Sequence, residues 1–240
     1  MNETNKSIQA VGFAGLILVA ASLWSAAIQP VSPAGIEGGL TPLMNVEMAE
    51  SKADLDKIFG PAGSESRRII AGRTGALGTD FVPSWSVFLF FLNRLMRRIR
   101  PELNRFGQYF LLLLIGTLLL EYALVLRLAD AANAAVLTDG MMTTIYWLAR
   151  LKWLLLFICT FHCSHLFYKS HSALRYGGEL LWAASVLGAA SVFGISGLIG
   201  VAVIGMFAAL CGISVLFLFS PGLLDNEAAR TGSPTEQSQE

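Results

Sequence analysis

Charge is what this sequence has least of. Only 14% of its 240 residues are Asp, Glu, Lys or Arg, where soluble domains carry roughly 25%. Hydrophobic residues make up 54%, and the mean hydropathy is +0.59. A globule of this size needs more polar surface than that to face water on all sides, so a soluble single-domain enzyme is excluded. Cysteine is scarce as well. Cys159, Cys163 and Cys211 all lie in apolar runs, and an odd count in such places is not a disulfide framework. Collagen-like repeats and polar low-complexity tracts are missing, which removes the fibrous and disordered classes. Seventeen basic residues balance seventeen acidic ones, so no nucleic-acid partner is indicated.

Long apolar runs are what the chain does have. A crossing helix needs ~20 mostly apolar residues. The first such segment runs Ala10–Ile28, and the second covers 81–98 with Arg94, Arg97 and Arg98 extending their stems to the interface. The third and fourth cover 109–128 and 144–168, and 179–219 is long enough for a helical hairpin turning at Gly194-Ile195-Ser196-Gly197. The runs are continuous rather than alternating, which argues against a β-barrel. The expected fold is therefore an all-α integral membrane bundle of six transmembrane helices, or five if the last stretch crosses once. Its divisions are a first helix in 1–29, a loop or cap in 30–80, three core helices in 81–168, a C-terminal hairpin in 169–222 and a disordered polar tail in 223–240. Ser25-Ala26-Ala27 also offers a signal-peptide cleavage point, although the apolar stretch before it is long for that role.

Orientation follows from the short basic loops. Arg94, Arg97, Arg98, Arg100 and Arg105 surround the single Glu102. This loop belongs in the cytoplasm, which places the N-terminus inside, 30–80 outside and the protein in the inner (cytoplasmic) membrane. Within 30–80, a stretch rich in proline and glycine precedes Met44–Phe59. There Val46, Leu55, Ile58 and Phe59 have the spacing of an amphipathic helix, stopped by Gly60-Pro61. A second short helix is expected over 64–72. The plain reading is a cap lying on the bilayer surface over the bundle. The tryptophans Trp24, Trp85, Trp147, Trp153 and Trp182 fall mostly near span ends, as in an aromatic belt.

Chemistry is sought first at ionisable residues inside spans, which are costly unless paired. Glu121 in the third span and Lys152 in the fourth lie at matching depth on antiparallel neighbours, so they are expected to form an intramembrane ion pair. We read it as a bridge fixing helix register, with a relay in a small transporter as the competing reading. Arg127 and Arg150 lie nearer the rim, placed to join it. Cys159, His162, Cys163 and His165 share one helix, and such residue types bind metals or haem. One helix cannot wrap an ion tetrahedrally, so no cofactor is expected and a metal or haem site is the alternative. In the hairpin, Ala184/Gly188, Ala190/Gly194, Gly205/Ala209 and Ala208/Gly212 form small-xxx-small pairs suited to close helix packing.

Two resemblances accompany these motifs. Gly194-Ile195-Ser196-Gly197 resembles the G-x-S-G of rhomboid intramembrane proteases, but no histidine follows Ser196 and His162 is ~27 Å deeper, so it is read as a glycine turn. Residues 1–168 resemble a set of small bacterial four-span membrane proteins without an assigned activity. The resemblance rests on Gly60 to Arg68, Asp80-Phe81-Val82-Pro83, Glu121-Tyr122 and Lys152, with Leu118 and Tyr122 replacing polar residues of that pattern. It implies a four-helix core with an added hairpin and no chemistry. The expected role is non-catalytic, as an accessory or assembly subunit whose partners are the lipid bilayer and other membrane subunits.

Overall fold

The computed structural model of the chain describes residues 3–28, 46–47, 49–60, 64–99, 101–133, 138–167, 170, 172–193 and 198–221. Within these, the chain forms seven helices: α1 (Glu3–Ile28), α2 (Lys52–Phe59), α3 (Glu65–Ile99), α4 (Pro101–Asn133), α5 (Asp139–Ser164), α6 (Ser172–Val192) and α7 (Ile199–Phe219). No strand occurs among the described residues. Four helices are long and apolar enough to cross a membrane, over Thr4–Trp24, Gly107–Arg127, Asp139–Ser164 and Ile199–Phe219. Outside-facing positions on them are large and apolar, including Phe13, Ile17, Leu112, Leu119, Val201 and Ile204. Monomeric soluble proteins rarely expose contiguous apolar surface on that scale. The fold is thus an all-α helical bundle compatible with a membrane protein. The long helices α3 and α6 are not among these four.

The six long helices pack in chain order, and α7 closes on α1 to complete a ring. Every neighbouring pair with a described cross-contact runs antiparallel. Ser7 near the start of α1 meets Arg98 near the end of α3. Gly12 and Gly15 of α1 face Phe217 and Ser214 of α7, where the glycines let the two backbones approach. Thr160 of α5 meets Ser185 of α6 through a buried hydroxyl pair at 2.8 Å. The ring is filled: Trp85 of α3 reaches across to Phe207 of α7 edge-on, with centroids 6.0 Å apart.

Three local expectations are corrected. Residues 64–72 and 81–98 are not a short helix followed by a span but parts of one 35-residue helix, α3, that runs through Pro83. Pro83 lacks one backbone donor, yet the helix continues through it. The amphipathic stretch is not a single helix over 44–59. Ser51 caps a fresh helix, its hydroxyl accepting from the Asp54 amide while the Asp54 carboxylate accepts from the Ser51 amide. This reciprocal capping starts α2 at Lys52. Gly60 ends it with φ 82°, a left-handed backbone that glycine adopts without strain. Finally, Trp85 and Trp153 are buried in the core rather than standing in a belt, whereas Trp24, Trp147 and Trp182 are exposed. The segments 223–240 and Ser25-Ala26-Ala27 fall outside the described residues or side chains.

Candidate functional site

The site grows from one lysine. Lys152 lies 13 residues into α5, which at 1.5 Å per residue is ~20 Å from the first residue of the helix. Its side chain is 2% exposed, so its charge requires partners of opposite sign. It has two. Nζ lies 2.9 Å from Oε1 of Glu121 on α4 and 2.6 Å from Oε1 of Glu47, from the segment preceding α2. The structure therefore brings Glu121 and Lys152 together and adds a third member that the sequence reading did not single out. The second oxygen of Glu47 accepts from Trp153 Nε1 at 2.8 Å, which holds the carboxylate between α4 and α5. Two carboxylates share one ammonium in a buried cluster.

Around this triad the segment carrying Glu47 has its own small core. Val46, Ala49, Leu55, Ile58 and Phe59 pack with Met142 and Ile145 of α5 and with Leu124 of α4. This segment wedges into the mouth between α4 and α5. Glu47 reaches Lys152 from this segment. A second charged layer sits above. Arg150 donates to the carbonyl of Val192 at the end of α6, satisfying an orphan helix-terminal acceptor. It also pairs with Glu50 at 3.4 Å and stacks over the Tyr146 ring. Arg127 is exposed. On the other flank, buried Arg67 of α3 pairs with Asp56 at 2.8 Å and donates to the Gly60 carbonyl, which ties α2 to α3. At the N-terminus of α2, the Ser51 hydroxyl donates to Asp54 at 2.7 Å and holds that carboxyl below its ordinary value.

The cysteine–histidine cluster does not assemble as a ligand set. The Cys163 thiol faces Met96 Sδ at 3.7 Å, and His165 packs on Phe161, whose carbonyl lies 3.0 Å from Nδ1. Cys159, His162 and Cys163 border a small space of about 20 Å³ with Asn93 and Gly107. That is room for a water molecule and far short of a porphyrin. Among the described residues, no three His, Cys, Asp or Glu side chains gather as a metal site. Cys159, His162 and Cys163 lie on the last turns of α5, and His165 follows as its C-terminal cap.

The packing glycines divide. A Cβ on Gly188 would enter the Phe157 ring, so this glycine sets the approach of α6 to α5. Gly205 lies against Ala184, where a Cβ would stand 3.3 Å away, between α6 and α7. Gly212 makes no packing contact within the chain: nothing lies within 4 Å of its would-be Cβ, and that side of α7 faces outward. Gly194, with the rest of Gly194-Ile195-Ser196-Gly197, lies outside the described residues.

No family model, no curated protein and no solved structure matches this chain. What it does must therefore be argued from its own geometry.

Proposed function

We propose that this chain is a multi-pass integral protein of a cytoplasmic (inner) membrane, crossing six times, with a non-catalytic accessory or assembly role in a membrane complex. One observation carries the reading: the deep charges Glu47, Lys152 and Glu121 engage one another and bind an extramembrane segment to two spans. Such a cluster acts as a latch that fixes shape. The latched bundle then presents outward faces on α4 and α7 that are apolar and open above Gly116 and Gly212, where a helix of another subunit can come close. Six crossings are supported by the ring, in which α3 and α6 lie between the four long apolar helices. The end carrying Arg94, Arg97 and Arg98 faces the cytoplasm by the positive-inside rule, and the segment with Glu47 caps the opposite side.

The test is affinity purification in mild detergent. A membrane protein recovered in constant ratio with this chain is expected, and a chain that emerges alone and monomeric overturns the accessory role.

A small ion-coupled transporter working through Glu121 is the second reading, and it has its own support in the two carboxylates sharing one ammonium. Under that reading Glu121→Gln abolishes flux in vesicles while the protein stays as stable as before. Under the latch reading the same change lowers stability. Haem or metal binding at Cys159, His162, Cys163 and His165 has no converging donor set in its favour, and a colourless, metal-free purified protein would dispose of it.

A further inference from the structure

At the end of the bundle opposite the ion triad, the last turns of α3 and the first of α4 border a groove of about 490 Å³ lined by Phe90, Asn93, Arg94, Arg97, Arg98 and Gln108. At 100° per residue, the five α3 positions fall within an arc of about 140°, so they form one face. We propose that this groove binds the headgroup of an anionic phospholipid. The inference rests on the membrane reading above and goes beyond it.

Three observations converge. First, the groove concentrates guanidinium groups. Among the described residues no carboxylate pairs with Arg94 or Arg97, both of which are exposed, while Arg98 is held in place by the Ser7 hydroxyl at 2.7 Å. Planar guanidinium forks match phosphate oxygens two at a time. Second, amides of Asn93 and Gln108 supply neutral donors beside the charge, as a phosphodiester with a polar headgroup requires. Third, the groove continues onto an apolar lane. The same face of α3 carries exposed Phe90 and Val87, and α4 adds exposed Tyr109 and Leu112 next to Gln108. A soluble phosphate has no use for that lane, whereas acyl chains lie along it. Arginines at the cytoplasmic boundary with apolar surface beneath are the chemistry by which basic pockets between spans hold anionic headgroups.

The full-length protein in detergent is titrated with phosphatidylglycerol or with phosphatidylcholine of the same acyl chains, and bound lipid is counted by native mass spectrometry. Phosphatidylglycerol is expected to bind more tightly. One basic residue near the surface is worth about a 5-fold gain, so Arg94→Gln with Arg97→Gln should weaken phosphatidylglycerol binding by about 30-fold. Phosphatidylcholine binding should not change. Arg175→Gln, which removes a cation paired to Glu179 outside the groove, should leave both lipids unaffected. Equal binding of the two lipids by the natural protein overturns the proposal, as does a glutamine pair that binds like the natural protein. Full displacement of phosphatidylglycerol by millimolar inorganic phosphate overturns the lipid assignment in favour of a soluble anion. Should the glutamine pair fail to fold, Arg94→Lys with Arg97→Lys keeps the charge. It must retain a preference for phosphatidylglycerol, weakened by loss of the two-pronged contacts, and losing none of the affinity counts against the guanidinium geometry. Insertion into nanodiscs is scored separately, so a failed membrane reading and a failed headgroup site give different results.

Discussion

Lys152 shows how a buried charge decides the consequences of a single change. Each ion in the triad costs several kcal/mol to remove from a polar environment, and the loss is offset only while the partners are present. Lys152→Met leaves Glu47 and Glu121 facing one another, 4% and 6% exposed. It should destabilise the protein by about 3–5 kcal/mol in detergent unfolding experiments. Glu121→Gln keeps Lys152 paired with Glu47, so the expected loss is smaller, about 1–3 kcal/mol. A Glu121→Gln protein as stable as its parent removes the latch. Glycines provide the matching contrast in packing. Gly188→Ala puts a methyl into the Phe157 ring and should cost about 1–3 kcal/mol. Gly212→Ala meets nothing and should be neutral or gain up to about 1 kcal/mol from helix propensity. Thermal unfolding of the two variants side by side decides whether the α5–α6 contact is as close as described.

Among the elements, α2 is the one whose formation depends on pH. It is eight residues long, too short to persist without help, and the reciprocal cap of Ser51 and Asp54 adds to the packing of Leu55, Ile58 and Phe59. The Ser51 hydroxyl lowers the Asp54 carboxyl in the folded protein, with a further contribution from Lys57. A carboxyl lowered on folding adds stability that is complete above its unfolded value. That stability disappears as the pH falls through the folded value. Amides of α2 should therefore lose protection in hydrogen exchange below about pH 4, beyond the change in intrinsic rate. Ser51→Ala should cost about 1 kcal/mol and flatten that pH dependence. Equal protection at pH 7 and pH 3 in the natural protein would show that the carboxylate does not contribute. The longest element poses a different question. At 35 residues, α3 is ~52 Å long, longer than the ~30 Å of a hydrocarbon core, and its first turns hold α2 through Arg67.

At the scale of the whole molecule, the closed antiparallel ring makes a strict statement about sidedness. Ser7, Arg97, Gly107 and Gly177 lie at one end, and Lys57, Tyr146 and Val192 at the other. Single cysteines placed at Arg97 and at Lys57, in a background with the native three cysteines replaced, should label with a membrane-impermeant maleimide from opposite sides. Arg97→Cys is expected to react only after the vesicles are opened from the cytoplasmic side. Labelling of both positions from one side contradicts six crossings, and exchange of the two sides reverses the orientation while leaving the ring intact.

Much of this architecture was legible in the sequence because apolar run length is a one-dimensional property. The bundle, its approximate helix positions and the pairing of Glu121 with Lys152 all follow from counting residues at 1.5 Å each along antiparallel neighbours. Glu47 was not legible. It sits between Val46 and Met48 in a stretch too short for a clear period, and a pair already neutral gave no reason to look for a third charge. Only the wedge of 46–60 between α4 and α5 brings it to Lys152, through contacts separated by about a hundred residues along the chain. The closure of α7 on α1 was equally hidden, since hydropathy assigns spans but not neighbours. In lipid every span is equally apolar outside, so shape complementarity at Gly12, Gly15 and Ser214, rather than hydrophobicity, selects which helices meet. Composition alone indicated apolar surroundings for most of this chain, and the four long apolar helices are compatible with that. Its tertiary structure decided where the few charges go, because a buried ion is held only by partners that folding brings within about 3 Å.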